Sequence, residues 1–208
     1  MTPPPTEAAG GLRAAHKERT RTALVGAALR QFADRGYSAV TVEDICAEAG
    51  VSPRTFFRYF ATKEHVLAAP VTAVLETLGE SLAAQPDSVT AWTALRRASL
   101  DAVDRVDGQA AVFLRAGQVI RDNPAALATN AEALMVWEQR MHAEIQRRLG
   151  ATDDSLHPRL LLGTAMLAFR VALDRWADQK GVGPARAVLE EALDAVTPGA
   201  TALQRAAG

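Results

Sequence analysis

An all-α fold follows from three features of this 208-residue chain. Apolar residues recur at three- and four-residue spacing through most of it, and no stretch alternates with period two for long enough to make a strand. Hydrophobic residues make up 49% of the chain, with many Ala and Leu, which lose little on entering a helix. Helix punctuation is regular: Gly36, Gly50, Gly108, "DNP" at 122–124, "GATDDS" at 150–155 and "GVGP" at 181–184 separate the periodic segments.

The elements can be justified in order. Residues 1–16, "MTPPPTEAAGGLRAAH", have no apolar core of the kind a secretory signal needs and read as a disordered, Pro-rich polar tail. A helix over 17–35 follows, with Val25, Ala28, Leu29 and Phe32 on one stripe, basic residues in its first turns and Gly36 as its stop. Thr41-Val42-Glu43-Asp44 is a capping-box variant opening a helix over about 42–48, which Gly50 ends. Ser52 supplies the next N-cap and Pro53 sits at the first helical position, starting a short helix over 53–59. Thr62 caps a long fourth helix through "KEHVLAAPVTAVLETLGESLAA", which Pro70 either kinks or interrupts. Beyond "QPDS" at 85–88 the spacing predicts helices over 89–105, 109–121, 124–149, 157–180 and 184–196, and residues 199–208 read as a frayed tail.

Composition excludes several classes. A lone cysteine, Cys46, rules out an internal disulfide framework and fits a reducing cytoplasm. The apolar run "LLLGTAMLAF" stops at Arg170, so no membrane span and no membrane partner are expected, and the localisation is read as cytoplasmic. His16, His65, His142 and His157 are scattered without metal-ligand spacing. Asp101, Asp104 and Asp107 form a ladder with no second acidic cluster, which reads as a solvated face. "GVGPAR" has no preceding strand, and nucleophile-elbow and phosphate-loop patterns are absent. The expectation is a non-enzyme with no catalytic residue, metal or cofactor. Net charge is −1, but residues 11–65 carry nine Lys/Arg against six Asp/Glu, and the remainder 14 against 18. A mildly basic front suits a local nucleic-acid contact.

That front contains "TVEDICAEAGVSPRTFFRYF", residues 41–60. Two short helices joined by a Gly-containing turn make a helix-turn-helix. Val42, Ile45, Ala49, Val51, Phe56 and Phe60 can close a small core on Leu24, Ala28 and Phe32, leaving Arg54, Thr55, Arg58 and Tyr59 on a helix slim enough for a major groove. The helix N-termini at Thr41 and Ser52 favour phosphates, and Lys63 adds a charge at the rim. Residues 19–67 resemble the N-terminal DNA-binding domain of the TetR family of bacterial transcriptional regulators, of an actinobacterial type, through Ala28, Phe32, "GY" 36–37, "TV" 41–42, Ile45, "AGVS" 49–52, "TFFRYF" 55–60 and "TKE" 62–64. Departures are Cys46 where Ala is usual, Phe57 where Tyr is common and Tyr59 where His is common. The resemblance implies phosphate contacts at Thr41, Thr55, Tyr59 and Lys63, and base-facing positions at Pro53, Arg54, Phe57 and Arg58. Arg13, Lys17, Arg19 and Arg21 either reach a flanking minor groove or phosphates, or form a solubilising arm.

The same resemblance implies a domain organisation: tail 1–16, helix-turn-helix 17–65, an effector-binding and dimerisation domain 66–198, and tail 199–208. It implies a homodimer, an operator in double-stranded DNA, and a small-molecule effector, with dimer contacts on the last two long helices. Leu160, Gly163, Leu167, Val171 and Asp174 share one stripe there and Val188, Leu189, Ala192 and Val196 another, as a dimer seam or as internal core. Trp92, Phe113, Met135, Trp137, Met141 and Phe169 are candidate pocket walls, or plain core, and Arg115 a candidate head-group ligand. Leu114 and Trp176 join the first set, and Arg121 and His142 the second. Wide apolar surface with a few Arg suggests a lipophilic, acyl-type or aromatic acid effector. The expected function is a repressor released when that effector moves the fourth helix as a lever, with Pro70 as hinge or tolerated kink. The alternative is a DNA-binding regulator without a small-molecule switch, gated by a protein partner or by oxidation of Cys46.

Overall fold

The structure, a computed structural model, describes residues 5–151 and 155–207. Residues 1–4 of the N-terminal tail, "TDD" at 152–154 within the break expected at 150–155, and the final Gly208 lie outside the described residues. Among the described residues nine α-helices follow one another: α1 (Pro5–Arg35), α2 (Val42–Ala49), α3 (Pro53–Tyr59), α4 (Lys63–Ala84), α5 (Ala91–Asp107), α6 (Ala110–Asp122), α7 (Pro124–Leu149), α8 (His157–Asp178) and α9 (Ala185–Ala207). A single 3₁₀ turn covers Tyr37–Ala39, and no strand occurs among the described residues.

Two helices are longer than the sequence reading gives. α1 begins at Pro5, so residues 5–16 are helical where a disordered tail was expected. Ala, Leu, Glu and Arg make up seven of the twelve residues of this segment, and their helix propensity outweighs Gly10 and Gly11, which cost about 1 kcal/mol each relative to Ala. α9 runs through Pro198 to Ala207 instead of stopping at 196. Long-range packing explains this: Ala200 is buried, Leu203 packs on the core, and Gln204 Oε1 accepts from the Trp92 backbone N–H at 2.9 Å. That bond satisfies one of the orphan donors at the start of α5. α4 likewise continues without a break through Pro70.

Contacts divide the chain into two compact units, residues 1–69 with 118–129, and residues 70–117 with 130–208. In the first, α1 packs on α2 and α2 on α3. Leu24, Ala28, Leu29, Phe32, Ile45, Cys46, Phe56 and Phe60 are buried there. The sequence reading ends this region at residue 65. The contacts carry it to Ala69, whose carbonyl accepts from Arg21 at 3.5 Å, and draw in residues 118–129, including buried Ala126.

The second unit is built on α9, which packs against α8 and α5. Asp107 caps it from a distance, accepting from the backbone N–H groups of Ala185 at 2.6 Å and Arg186 at 3.1 Å. The turn before α9 needs its glycine: Gly181 has φ 71°, and a Cβ there would lie 2.8 Å from Leu114 Cδ1. By length and composition α4 is apolar enough to cross a membrane, which the sequence reading did not anticipate. Much of it is core, with Val66, Leu67, Val74, Leu78 and Leu82 buried inside the protein.

Candidate nucleic-acid interface

Local chemistry builds the α2–α3 corner. Thr41 Oγ1 accepts from the Asp44 N–H at 3.2 Å while Asp44 Oδ2 accepts from the Thr41 N–H at 2.9 Å, a complete capping box. That backbone bond, helped by Arg35 at 3.0 Å, holds the Asp44 carboxyl down at about 2. Gly50 closes α2 in the left-handed conformation, φ 67° and ψ 34°. Ser52 Oγ then accepts from the Thr55 N–H at 3.2 Å, and Pro53 takes the first helical position. Arg30 and Gln31 each donate to Glu48 at 2.6 Å and tie α1 to α2.

On this frame α3 divides into two faces. Phe56 is completely buried, and Phe60, 5.8 Å away between ring centroids, is nearly so. Ser52, Pro53, Arg54 and Arg58 are exposed, and Phe57 is 56% exposed although it stands edge-on to Phe56. Thr55 and Tyr59 are half-buried, and the Arg58 guanidinium lies 5.2 Å from the Tyr59 ring centroid. A ridge of two arginines and an aromatic ring thus stands out from a phenylalanine kernel.

Two hydroxyls and the ammonium expected at phosphates already have partners inside the protein. Thr41 Oγ1 also donates to Asp44 at 2.8 Å, and Thr55 Oγ1 lies 3.1 Å from Ser52 Oγ. Lys63 Nζ donates to the carbonyls of Tyr37 and Val40, both at 3.0 Å, and sits 4.4 Å from the Tyr37 ring centroid. One N–H of three remains for anything outside. Tyr37 OH donates to Glu64, and burial together with that carboxylate pushes the phenol well above its usual value. Burial opposes ionisation of Glu64, but hydrogen bonds from Thr62 and Tyr37 outweigh it and lower its pKa. The first turn of α4 therefore clasps the 3₁₀ turn. The sequence reading quoted "GY" and "TKE" as landmarks but missed that they bind each other; their separation by 26 residues hides the pairing.

The expected pocket residues do not form one wall. Trp92 is a pin, its indole N–H donating to Thr197 Oγ1 at 3.1 Å. Met135 is 61% exposed and Arg115 exposed, so neither encloses anything within its unit. Phe169 is core, with Phe113 and Leu114 packed against that core, and the Trp176 indole donates to Gly183 O at 3.0 Å. Arg121 is exposed. Trp137 and Met141 do come together: a Cβ at Gly79 would meet Trp137 Nε1 and Met141 Cε, each at 3.4 Å. Trp137 Nε1 is buried and has no acceptor, and His142 Nε2 is likewise buried without a partner. The α8 stripe is open, with Leu160, Leu167 and Val171 45%, 51% and 47% exposed, whereas Leu189 of the α9 stripe is fully buried. An open groove of about 660 Å³ beside it is lined by Thr164, Val196, Leu203 and small residues of α9. Cys46 is a buried residue of α2, and burial raises its thiol pKa.

Two capped helices meeting at a left-handed glycine, the second presenting cationic and aromatic groups, define a helix-turn-helix DNA-binding protein. Residues 24–69 match the family described as bacterial regulatory proteins, tetR family, and residues 89–201 match the MftR C-terminal domain. TcmR of Streptomyces glaucescens, an HTH-type transcriptional regulator, is 31% identical over 90% of this chain and 87% of its own. BetI of Brucella canis, also an HTH-type regulator, is 30% identical over 86% of this chain and 83% of its own. Among solved structures, NalD of Pseudomonas aeruginosa superposes with a TM-score of 0.62 at 20% identity, covering 88% and 97% of the two chains. FadR of Bacillus subtilis does so with 0.60 at 18%, covering 83% and 95%. The chain belongs to the TetR family and is a DNA-binding transcriptional regulator, not an enzyme.

Proposed function

We propose that this regulator acts in the cytoplasm as a homodimeric repressor, its first domain reading an operator and its second releasing it when a lipophilic, acyl-type effector binds. The observation that carries the DNA reading is the exposure of Arg54, Phe57 and Arg58 above buried Phe56 and Phe60. Arg54 and Arg58 can each fork to the O6 and N7 of a guanine, Phe57 can pack on a thymine methyl, and Pro53 borders the same bases. Ser52, Thr41, Thr55 and Tyr59 line the phosphates, with Lys63 at the rim through its remaining N–H. Arg58→Ala costs about 1–3 kcal/mol against the preferred duplex and relaxes preference at one base position. Titration of selected against randomised duplexes measures this, and an unchanged preference refutes the groove assignment.

Pairing is supported by the exposed α8 stripe and the adjoining groove along α9, where Ala195, Gly199 and Ala202 leave room for a second helix pair. Leu167→Glu should give a monomer in sedimentation equilibrium with the operator affinity lost; a dimer that persists places the interface elsewhere. The effector reading rests on Trp137: a buried indole N–H without an acceptor costs about 1–3 kcal/mol and is relieved by a ligand oxygen. The FadR structure from B. subtilis is a complex with stearoyl-CoA, which fits the same class. Displacing Trp137 and Met141 from Gly79 would push α4, whose other end grips Tyr37 and Val40 through Lys63. A rise in melting temperature with fatty acids or acyl-CoA tests this, and no shift with any of them removes the switch. Gating by oxidation is disfavoured, because the Cys46 thiol is enclosed and its pKa raised.

A further inference from the structure

The first turn of α4 holds a carboxylate that the base and phosphate contacts leave unexplained. Lys63 and Glu64 open α4, and both reach back to the turn between α1 and α2. Lys63 Nζ donates to Tyr37 O and Val40 O, while the Glu64 carboxylate accepts from the Tyr37 hydroxyl. The Tyr37 ring also packs on Phe32 of α1, with ring centroids 5.0 Å apart. Tyr37, Lys63 and Glu64 are half-buried and Val40 is buried, so these groups are anchored in the small core.

Together they close a ring. Val40 directly precedes Thr41, the N-cap of α2, and three residues separate the end of α3 from Lys63. The chain from Tyr37 to Lys63 therefore loops through both helices of the corner and returns to its start. Its exit joins α4 covalently. Its entry is joined by three polar bonds and the contact of Lys63 with the Tyr37 ring. With the entry open, the polar ties left to α2 would include the surface pairs Arg30–Glu48 and Arg35–Asp44, which are worth little in water.

We infer that Tyr37 and Glu64 are positioning residues for DNA binding: their bond, beside Lys63, seats the α2–α3 corner on α4 so that Arg54, Phe57 and Arg58 meet the groove together. Neither side chain touches DNA; both act through the backbone they hold. The sign of the Glu64 charge separates this from a plain electrostatic role. By charge alone a carboxylate repels phosphates, and removing it tightens binding to any duplex. As part of a clasp, its removal frees the corner and weakens binding to the selected duplex, because the competent fraction falls.

The inference rests on the DNA reading above, and the test separates the two. Full-length Tyr37→Phe and Glu64→Gln are titrated, well below their melting temperatures, with a duplex selected in vitro and with a randomised one, over a range of salt. Each should bind the selected duplex about tenfold more weakly, as the clasped population falls to about a tenth. The slope of log affinity against log salt should not change, since no phosphate contact is lost. The randomised duplex should bind Tyr37→Phe as before and Glu64→Gln slightly tighter. The double variant should lose no more than either single, because both remove the same bond. Tighter binding of both duplexes by Glu64→Gln overturns the inference and leaves only a repelling charge. A lowered melting temperature with unchanged affinity for the selected duplex overturns it too, reducing the clasp to a stabilising contact. A salt slope shallower by about 0.9 in Tyr37→Phe overturns it in favour of a phosphate contact by the phenol itself. These three outcomes leave the α3 reading standing, whereas an unsubstituted chain that selects no duplex overturns the DNA reading.

Discussion

The corners before α3 and before α9 both turn on left-handed glycines, but they are held in different ways. At Gly50 nothing lies within 4 Å of where a Cβ would stand, and the turn is set by caps no more than four residues away. At Gly181 the space is filled by Leu114 and Trp176, and the next helix is capped by Asp107 from 78 residues away. The DNA-reading unit fixes this corner locally and leaves arginines outside; the larger unit fixes the turn before α9 through its core. A function that needs projecting groups is compatible with the first scheme, because caps consume short polar side chains and spare the long ones.

Phe56 and Phe57 give the sharpest way to break that division. Phe56→Ala opens a cavity under α3 and should cost about 3–5 kcal/mol, lowering the unfolding midpoint and abolishing operator binding together. Phe57→Ala, half in solvent, should stay within about 0.5 kcal/mol in stability while weakening binding to the selected duplex. If Phe57→Ala proves as unstable as Phe56→Ala, the ridge is part of the core and the faces have been misassigned. The two glycines come next. Gly181→Ala combines a strained φ with overpacking, about 2–4 kcal/mol by urea denaturation, whereas Gly50→Ala carries backbone strain alone, about 1–2 kcal/mol.

These contrasts also explain what could be read from the sequence. Thr41, Asp44, Gly50, Ser52 and Pro53 act on neighbours, so the boundaries of α2 and α3 and the outward face of Arg54 and Arg58 were legible residue by residue. The extension of α9 was not, because Pro198 is a local stop signal overruled by Ala200, Leu203 and Gln204, whose partners lie across the fold. The different roles of the aromatic residues were hidden for the same reason: Trp92 and Trp137 have the same local character, yet one indole finds Thr197 and the other finds nothing. Only long-range geometry distinguishes them. Trp92→Phe should therefore cost about 1–2 kcal/mol, while Trp137→Phe, which removes a donor with no acceptor, should be near neutral in melting temperature and lose any effector response.

The smallest effect probes the local scheme by pH. Asp44 sits at about 2 when folded, below the usual carboxylate range, chiefly because it accepts the Thr41 backbone N–H and next because Arg35 bonds it. A carboxylate depressed in this way contributes stability that is present above its unfolded pKa near 4 and is lost as pH falls from there toward 2. Asp44→Asn should accordingly lower the melting temperature at pH 7, with the gap from the unsubstituted chain closing between pH 4 and pH 2. Thr41→Ala removes the hydroxyl that caps the Asp44 N–H, about 1 kcal/mol, but leaves the backbone bond that sets the carboxylate. Its melting curve should therefore sit lower and keep most of the acid limb, reduced only by loss of the smaller contribution that the Thr41 hydroxyl makes through its own bond to Asp44. If Thr41→Ala instead erased the acid limb, the hydroxyl and not the backbone N–H would be the group that holds Asp44 ionised.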